Sequence, residues 1–218
     1  MIKVLVVAAH PDDEALGCGA TIAKHTQNGD EVQIVFLSDG FSSRKNGEKR
    51  NNLAIQSSEV LSCKKPIFLN LPDNRLDTIP FLEIVQKIEG VISDFQPRIV
   101  YTHHIGDLNI DHQIANKAVM TACRPQPGFC VKEIYAFEVL SSTEWQALGV
   151  KSFCPNVFID ITSYIDIKKQ VLEVYSEEMR PPPHSRSIDN AIRLSALRGN
   201  SVGVYFAEAF VLIRNIIE

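Results

Sequence analysis

The chain has no excess of basic residues: 22 Lys and Arg stand against 26 Asp and Glu in 218 residues, a formal net charge of -4 at pH 7. With a pI near 5.9 it offers no cationic footprint for nucleic acid and no polybasic patch for a membrane surface, so the expected partner is a small molecule. No C-x-x-C pair occurs, and the five cysteines (Cys18, Cys63, Cys123, Cys130 and Cys154) are an odd number. A disulfide framework therefore has no support, and reduced thiols in the cytoplasm are expected. No cationic leader precedes the first apolar run. That run is also shorter than the ~20 apolar residues that span a bilayer, so no membrane span is expected. Low-complexity breaks and internal repeats are missing too, which points to one domain over 1–218 with a substantial core.

What is present begins with Val4, Leu5, Val6, Val7, Ala8 and Ala9. An unbroken apolar run without polar alternation reads as a strand buried on both faces. It ends in Ala9-His10-Pro11-Asp12-Asp13-Glu14. An imidazole and three carboxylates crowded behind such a strand need a cation or a substrate to absorb their charge. A helix over 15–28, stopped by Gly29, and a second strand over 31–37 follow in the order of a right-handed parallel βαβ unit. The first turn is acidic and is not G-x-G-x-x-G, which argues against a conventional dinucleotide site, because anionic side chains repel pyrophosphate.

The alternation continues. Residues 41–50 form a polar loop whose Arg44, Lys45 and Arg50 can reach a molecule bound beyond the strand ends. Helices are expected at 52–61 and 81–95 and strands at 66–71 and 99–101, with a polar turn at 72–77. The loop 102–113 carries three of the six histidines, His103, His104 and His112, and leads into a helix over 113–123. Further strands are expected at 133–140 and 156–161, helices at 163–179 and 188–197, a proline-rich loop at 180–187 and an apolar end segment at 202–217. The fold class is α/β, a Rossmann-like, mainly parallel sheet flanked by helices.

His10, Asp13 and His112 make a set of two histidines and one carboxylate, which suits Zn²⁺ in a catalytic site because three protein ligands leave room for water and substrate. Fe²⁺ or Mn²⁺ would accept the same donors. Asp12 is then available as general base toward a water whose pKa the metal lowers. An acidic run at a helix start can instead serve the helix dipole. Two clusters of histidine and acid, each placed after its own parallel strand, point to a joint site.

The AHPDDE string at 9–14 and Asp107-Leu108-Asn109-Ile110-Asp111-His112 resemble the LmbE/PIG-L family, zinc-dependent deacetylases of N-acetylglucosamine-type sugars with a Rossmann-like fold. Supporting similarity lies in Thr21-Ile22-Ala23-Lys24, Leu71-Pro72-Asp73, Pro155-Asn156, and Gly203 to Phe210. The resemblance implies zinc on His10, Asp13 and His112, Asp12 as general base, and Arg50 as a substrate-binding arginine. Many members carry histidine three residues before the last ligand, where this chain has Asn109, which can donate to an oxyanion but supplies no proton. Oxyanion support is expected from Asn109 or His104, and the proton donor stays open among His103, His104, His184 and Asp12. Asp107, His184 and Arg186, with Asp73 and Arg75, are expected to touch the amino-sugar substrate. The alternative, a non-catalytic sugar- or nucleotide-binding module of the same fold, draws on Asn109. Pro181-Pro182-Pro183 and the apolar end segment would suit a homo-oligomer interface or a pocket wall.

Overall fold

Strand β1 (Lys3–Ala8) feeds two cores at once. Val4, Val6 and Ala8 point into one cluster, and Leu5 and Val7, continued by Ala9, into the other, as the period of two in a strand requires. The computed structural model describes residues 1–39, 47–147 and 149–217. Most of the expected polar loop at 41–50, with Arg44 and Lys45, lies outside them.

Beside β1 lie β2 (Glu31–Ser38) and β3 (Ile67–Leu71) on one side. On the other lie β4 (Ile99–His103) and β5 (Glu133–Phe137), then β6 (Val157–Asp160) and β7 (Ala207–Asn215). The seven strands form one sheet in the order β3-β2-β1-β4-β5-β7-β6. The first five run parallel, and β7 is antiparallel to both β5 and β6. The expected α/β architecture is thus the observed one. Helices α1 (Asp13–Gln27), α2 (Gly47–Val60), α5 (Ile165–Val174) and α6 (Ile188–Asn200) pack on one face. Helices α3 (Phe81–Phe95) and α4 (Ile110–Ala122) cover the other. The chain winds outward from β1 to β3 and then returns to place β4 against β1. Their carboxyl ends flank the point where strand order reverses, the crevice in which open α/β sheets bind ligands.

Several boundaries depart from the sequence expectation, α4 beginning at Ile110 and β5 ending at Phe137 among them. The helix expected from 52 already begins at Gly47 and places Arg50 in its first turns. β4 runs on to His103, which becomes a strand residue facing the core. The helix expected over 163–179 is a 3-10 turn at Thr162–Tyr164 followed by α5, which stops at Val174. The apolar end segment is largely the antiparallel β7, an outcome that hydrophobicity alone leaves undecided.

α1 is broken at Cys18, where φ is -149° and ψ 22°. Gly17 lies so close to Phe137 that a Cβ there would sit 2.3 Å from the ring. The break strands backbone groups inside the core, and a buried ion pair satisfies them. Lys168 Nζ donates to the Leu16 carbonyl at 2.8 Å and lies 2.5 Å from Glu208 Oε1. The Glu208 carboxylate accepts the Ala20 and Thr21 N–H groups at 3.2 and 2.7 Å.

Candidate active site

β1 ends under the site, and the turn that follows is held by its own side chains. The His10 N–H donates to Asp13 Oδ2 at 2.8 Å, and the Asp12 N–H donates to Glu14 Oε2 at 3.0 Å. Asp12 has φ 110°, a left-handed conformation unusual for a residue other than glycine. Such a backbone persists only where its surroundings over-determine it. Glu14 supplies part of that restraint, because its Oε1 accepts the Ser57 and Tyr175 hydroxyls at 2.8 and 2.7 Å. Glu14, Ser57 and Tyr175 are all fully buried. Burial pushes the Glu14 carboxyl up to about 7 against the opposing Tyr175 and Ser57 hydrogen bonds.

Asp13 is the hub. Its Oδ2 lies 3.3 Å from His10 Nδ1 and 3.4 Å from His112 Nε2. His112 is in the first turn of α4, whose start is fixed by Asn109, with Oδ1 accepting the Asp111 N–H at 2.8 Å. Each imidazole has a carboxylate behind its other nitrogen. His10 Nε2 is 3.1 Å from Asp111 Oδ2 and 3.3 Å from Asp73 Oδ1, and His112 Nδ1 is 3.1 Å from Asp107 Oδ1. Such outer partners orient metal-binding histidines. Burial works against protonation of His10, but Asp111 and Asp13 prevail and raise it to about 10. His112, likewise buried, is raised to about 9 by Asp13 and Asp107. Despite its burial, Asp13 is held well below the carboxylate range, chiefly by His112 and His103.

Among the described residues two donor groups converge closely enough for an ion, His10 with Asp13 and His112, and His10 with Asp73 and Asp111. The first group fits a metal: its three atoms face one another, and the buried Asp13 Oδ1 has no hydrogen-bond partner. The second relies on His10 Nε2, the nitrogen through which Asp111 and Asp73 orient the ring, and is better read as support for the first.

Asp12 stands beside the donor set, with Oδ2 at 2.9 Å from Arg186 Nη1 and 3.2 Å from Arg50 Nη2. Arg50 also pairs with Glu178 at 2.9 Å. Burial raises the Asp12 carboxyl in spite of Arg186. The fold thus brings His10, Asp12, Asp13, His112, Arg50 and Arg186 together. His184 lies two residues before Arg186, whose N–H it accepts at Nδ1 at 3.0 Å. Arg75 has an exposed side chain.

Four expectations need correction. Asp73, expected at the substrate, is fully buried with Oδ1 3.3 Å from His10 Nε2. Asp107, expected at the substrate, is fully buried, and its carboxylate accepts Ser142 Oγ, Thr143 Oγ1 at 2.6 Å and the Asn109 N–H at 2.9 Å. It supports His112 from behind. His104, expected to stabilise the oxyanion or donate a proton, turns its Nε2 to the Lys151 carbonyl at 3.0 Å and packs edge-on against Phe153. His103, a candidate proton donor, accepts the Ala9 N–H at Nε2 at 2.9 Å and stacks on His112. Burial, with His112 next, lowers it to about 3, so the ring is held neutral and offers no imidazolium proton to an amine. Sequence reasoning did not assign Asp111, although it directly precedes His112. It also missed Tyr175, for which no local signal exists.

A doubly wound sheet with a His-Asp-His donor set and a second aspartate at its switch point defines a class of α/β proteins with a candidate metal-binding site at the strand ends. Residues 5–123 match the family described as PIG-L: GlcNAc-PI de-N-acetylase, and the chain belongs to that family. A protein of Escherichia coli K12 described as an uncharacterized deacetylase, YaiS, is 32% identical over 176 residues, covering 78% of this chain and 88% of its own. The diacetylchitobiose deacetylase of Thermococcus kodakarensis is 30% identical over 199 residues, covering 81% and 70%. Among solved structures, the conserved protein TT1542 of Thermus thermophilus superposes with a TM-score of 0.81 at 24% identity, covering 100% of this chain and 97% of its own. The 4-carboxy-2-hydroxymuconate hydratase GalB of Pseudomonas putida superposes at 0.79 and 22%, covering 100% and 98%. A hydratase on the same scaffold shows that the fold does not by itself select the reaction.

Proposed function

We propose that this chain is a metal-dependent N-deacetylase that hydrolyses the acetamide of an N-acetylglucosamine-type amino sugar. The observation that carries the reading is the convergence of His10 Nδ1, Asp13 Oδ2 and His112 Nε2 beside Asp12. The sequence relationship to named deacetylases supports the reaction type. Zn²⁺ suits these donors, and Fe²⁺ or Mn²⁺ would be accepted. A metal held there supplies Lewis acidity, lowering the pKa of water toward about 7 and polarising the acetyl carbonyl.

The chain's own residues do the rest. Asp12 takes the proton of the attacking water and returns it to the departing amine; His103 and His104 are engaged elsewhere, and His184 Nδ1 accepts the Arg186 N–H. Arg186, Arg50 and the backbone bond to Glu14 fix where that carboxylate points. The Asn109 side-chain amide donates to the developing oxyanion, its Oδ1 being used for the helix cap. Arg50, Arg186 and His184 offer donors for sugar hydroxyls. We assign the whole of 1–218 to one domain. Its five free cysteines suit a reducing compartment such as the cytoplasm, and among the described residues no helix is long and apolar enough to cross a membrane.

The test is to measure bound metal and acetate release from a panel of N-acetylated amino sugars for the wild type and Asp12→Ala. The expected result is about one metal per chain in both proteins, and acetate release that falls at least ~100-fold in the variant. A metal-loaded wild type that releases acetate from no sugar in the panel would overturn the reading in favour of a binding module.

A further inference from the structure

His103 ends β4 and is fully buried, yet it belongs neither to the donor set nor to the proton transfer. A buried imidazole outside the chemistry needs another reason. A phenyl ring would fill the same space beside Phe137, whose ring centroid lies 4.7 Å away, without bringing polar atoms into the core. His103 Nε2 has a partner in the Ala9 N–H, which donates to it at 2.9 Å. The proton of the ring is then on Nδ1, which has no hydrogen-bond partner among the described residues. The imidazole is thus kept in spite of an unpaired N–H.

Its one acceptor sits at a junction. The parallel pairing of β1 with β4 matches Val4, Leu5 and Val6 to Ile99, Val100 and Tyr101. Beyond that register the His103 side chain serves as acceptor for the buried Ala9 N–H, which would otherwise be orphaned. On the other side of β1, the Ala9 carbonyl accepts the Ser38 N–H at 3.0 Å. Both backbone groups of the residue that precedes His10 are therefore held, one from each neighbouring strand.

His112 meets the same residue. The His103 and His112 rings stack with centroids 3.9 Å apart and planes inclined by 21°. One turn further along α4, the buried Asn116 donates from Nδ2 to the His103 carbonyl at 2.8 Å, so the helix start is docked on both the ring and the backbone of His103. A role as a further ligand does not fit. The nitrogen that approaches the donor set, Nε2 at 3.4 Å from Asp13 Oδ2, already uses its lone pair on the Ala9 N–H.

Resting on the metal-centre reading above, we propose that His103 is a positioning residue for the metal: one imidazole ties the strand end that carries His10 to the helix start that carries His112. The acceptor at Nε2 sets the His10 side, and the stacked face sets the His112 side. Ligands held in place before the ion arrives bind it more tightly than ligands the ion must order.

Two variants separate the two ties. His103→Phe keeps a ring against His112 and leaves the Ala9 N–H without its acceptor, whereas His103→Gln gives up the ring and offers Oε1 to that N–H. Zn²⁺ affinity is read by competition with a chromophoric chelator, and stability by calorimetry on the same full-length proteins. The expected result is a Zn²⁺ Kd raised ~10-fold or more in each variant, within the range for outer partners of metal-binding histidines. The visible absorption of the Co²⁺-loaded variants should also differ from that of the wild type. A wild-type Kd in either folded variant overturns the inference, whatever its Tm, and where only one variant folds that one decides. Failure of both to fold even with saturating Zn²⁺ makes His103 a core residue and overturns it as well. A wild type that binds no Zn²⁺ overturns the metal reading and this inference with it. Zn²⁺ binding that weakens in the variants, in a protein that releases no acetate, supports the inference while the deacetylase reading falls.

Discussion

Arg186 Nη1 lies 2.9 Å from Asp12 Oδ2, although the two residues are 174 positions apart. Arg50 reaches the same oxygen from the start of α2 at 3.2 Å. Two guanidinium groups thus aim one carboxylate whose own backbone is strained, and Arg186 contributes a directional donor that a lysine copies poorly. Arg186→Met should lower kcat for acetate release ~10- to 100-fold, the range in which misplacing a catalytic group by ~1 Å falls. Metal content should stay at the wild-type level, and Arg186→Lys should recover only part of the rate. An unchanged kcat in Arg186→Met would remove the residue from the positioning of Asp12.

Tyr175 acts on the same aspartate from further back. Its hydroxyl donates to Glu14 Oε1, and Glu14 Oε2 accepts the Asp12 N–H. Tyr175→Phe deletes one buried hydrogen bond to a carboxyl group, a loss of ~1.5 to 3 kcal/mol if that group is ionised. The expected outcome is a lower Tm with kcat reduced more than KM changes. Equal loss of kcat and of bound metal would show that the network merely holds the fold together.

The Lys168–Glu208 pair predicts a stability effect remote from the chemistry. Lys168→Met leaves the Glu208 charge buried without its ammonium partner, which costs ~3 to 5 kcal/mol. For a chain of this size that is roughly 10 °C in Tm. Combining Lys168→Met with Glu208→Gln should restore part of the loss, since the buried charge is removed and the amide oxygen can still accept one of the two backbone N–H groups of the broken helix. Calorimetry on the three variants checks this.

At the amino end of the sheet, Asp30 Oδ2 lies 2.9 Å from His25 Nδ1, and Asp30 Oδ1 accepts the Ile2 N–H at 2.8 Å. Burial raises the Asp30 carboxyl, but His25 and the Ile2 N–H outweigh it, so the carboxyl titrates below its ordinary range. A depressed carboxylate contributes stability that is fully present above the unfolded value of about 4 and is lost as pH falls through the folded one. Urea unfolding followed from pH 7 to pH 3 should show a shallower acid limb for Asp30→Asn, with a difference at pH 7 under about 1 kcal/mol. Parallel acid limbs would refute the assignment.

The path from sequence to site differs from residue to residue. The burial of β1 on both faces, the parallel order of β1 and β2, and the crowding of His10, Asp12 and Asp13 at a strand end all follow from local pattern. His112 was legible for the same reason, as one of the histidines placed after another strand. His104 and Asp107 misled, because a motif places side chains at one edge of a sheet without stating which of them turn inward. His104 belongs to the loop after β4 and turns toward Lys151, while Asp107 is drawn beneath α4 by Ser142 and Thr143. Glu208, a lone carboxylate in an apolar run, carried a signal that went unread: a buried charge needs a partner.

By itself the sequence determined what short-range physics can encode: which runs are strands and helices, where the acidic turn ends the first strand, and which donor types stand ready for a metal. Only the tertiary structure decided which groups face one another. Arg50, Arg186, Ser57 and Tyr175 approach the 12–14 turn from α2, the proline-rich loop and the end of α5. Such contacts depend on how helices and loops pack across the sheet, and the free energy that selects them lies in burial and paired charge between segments that local sequence does not relate.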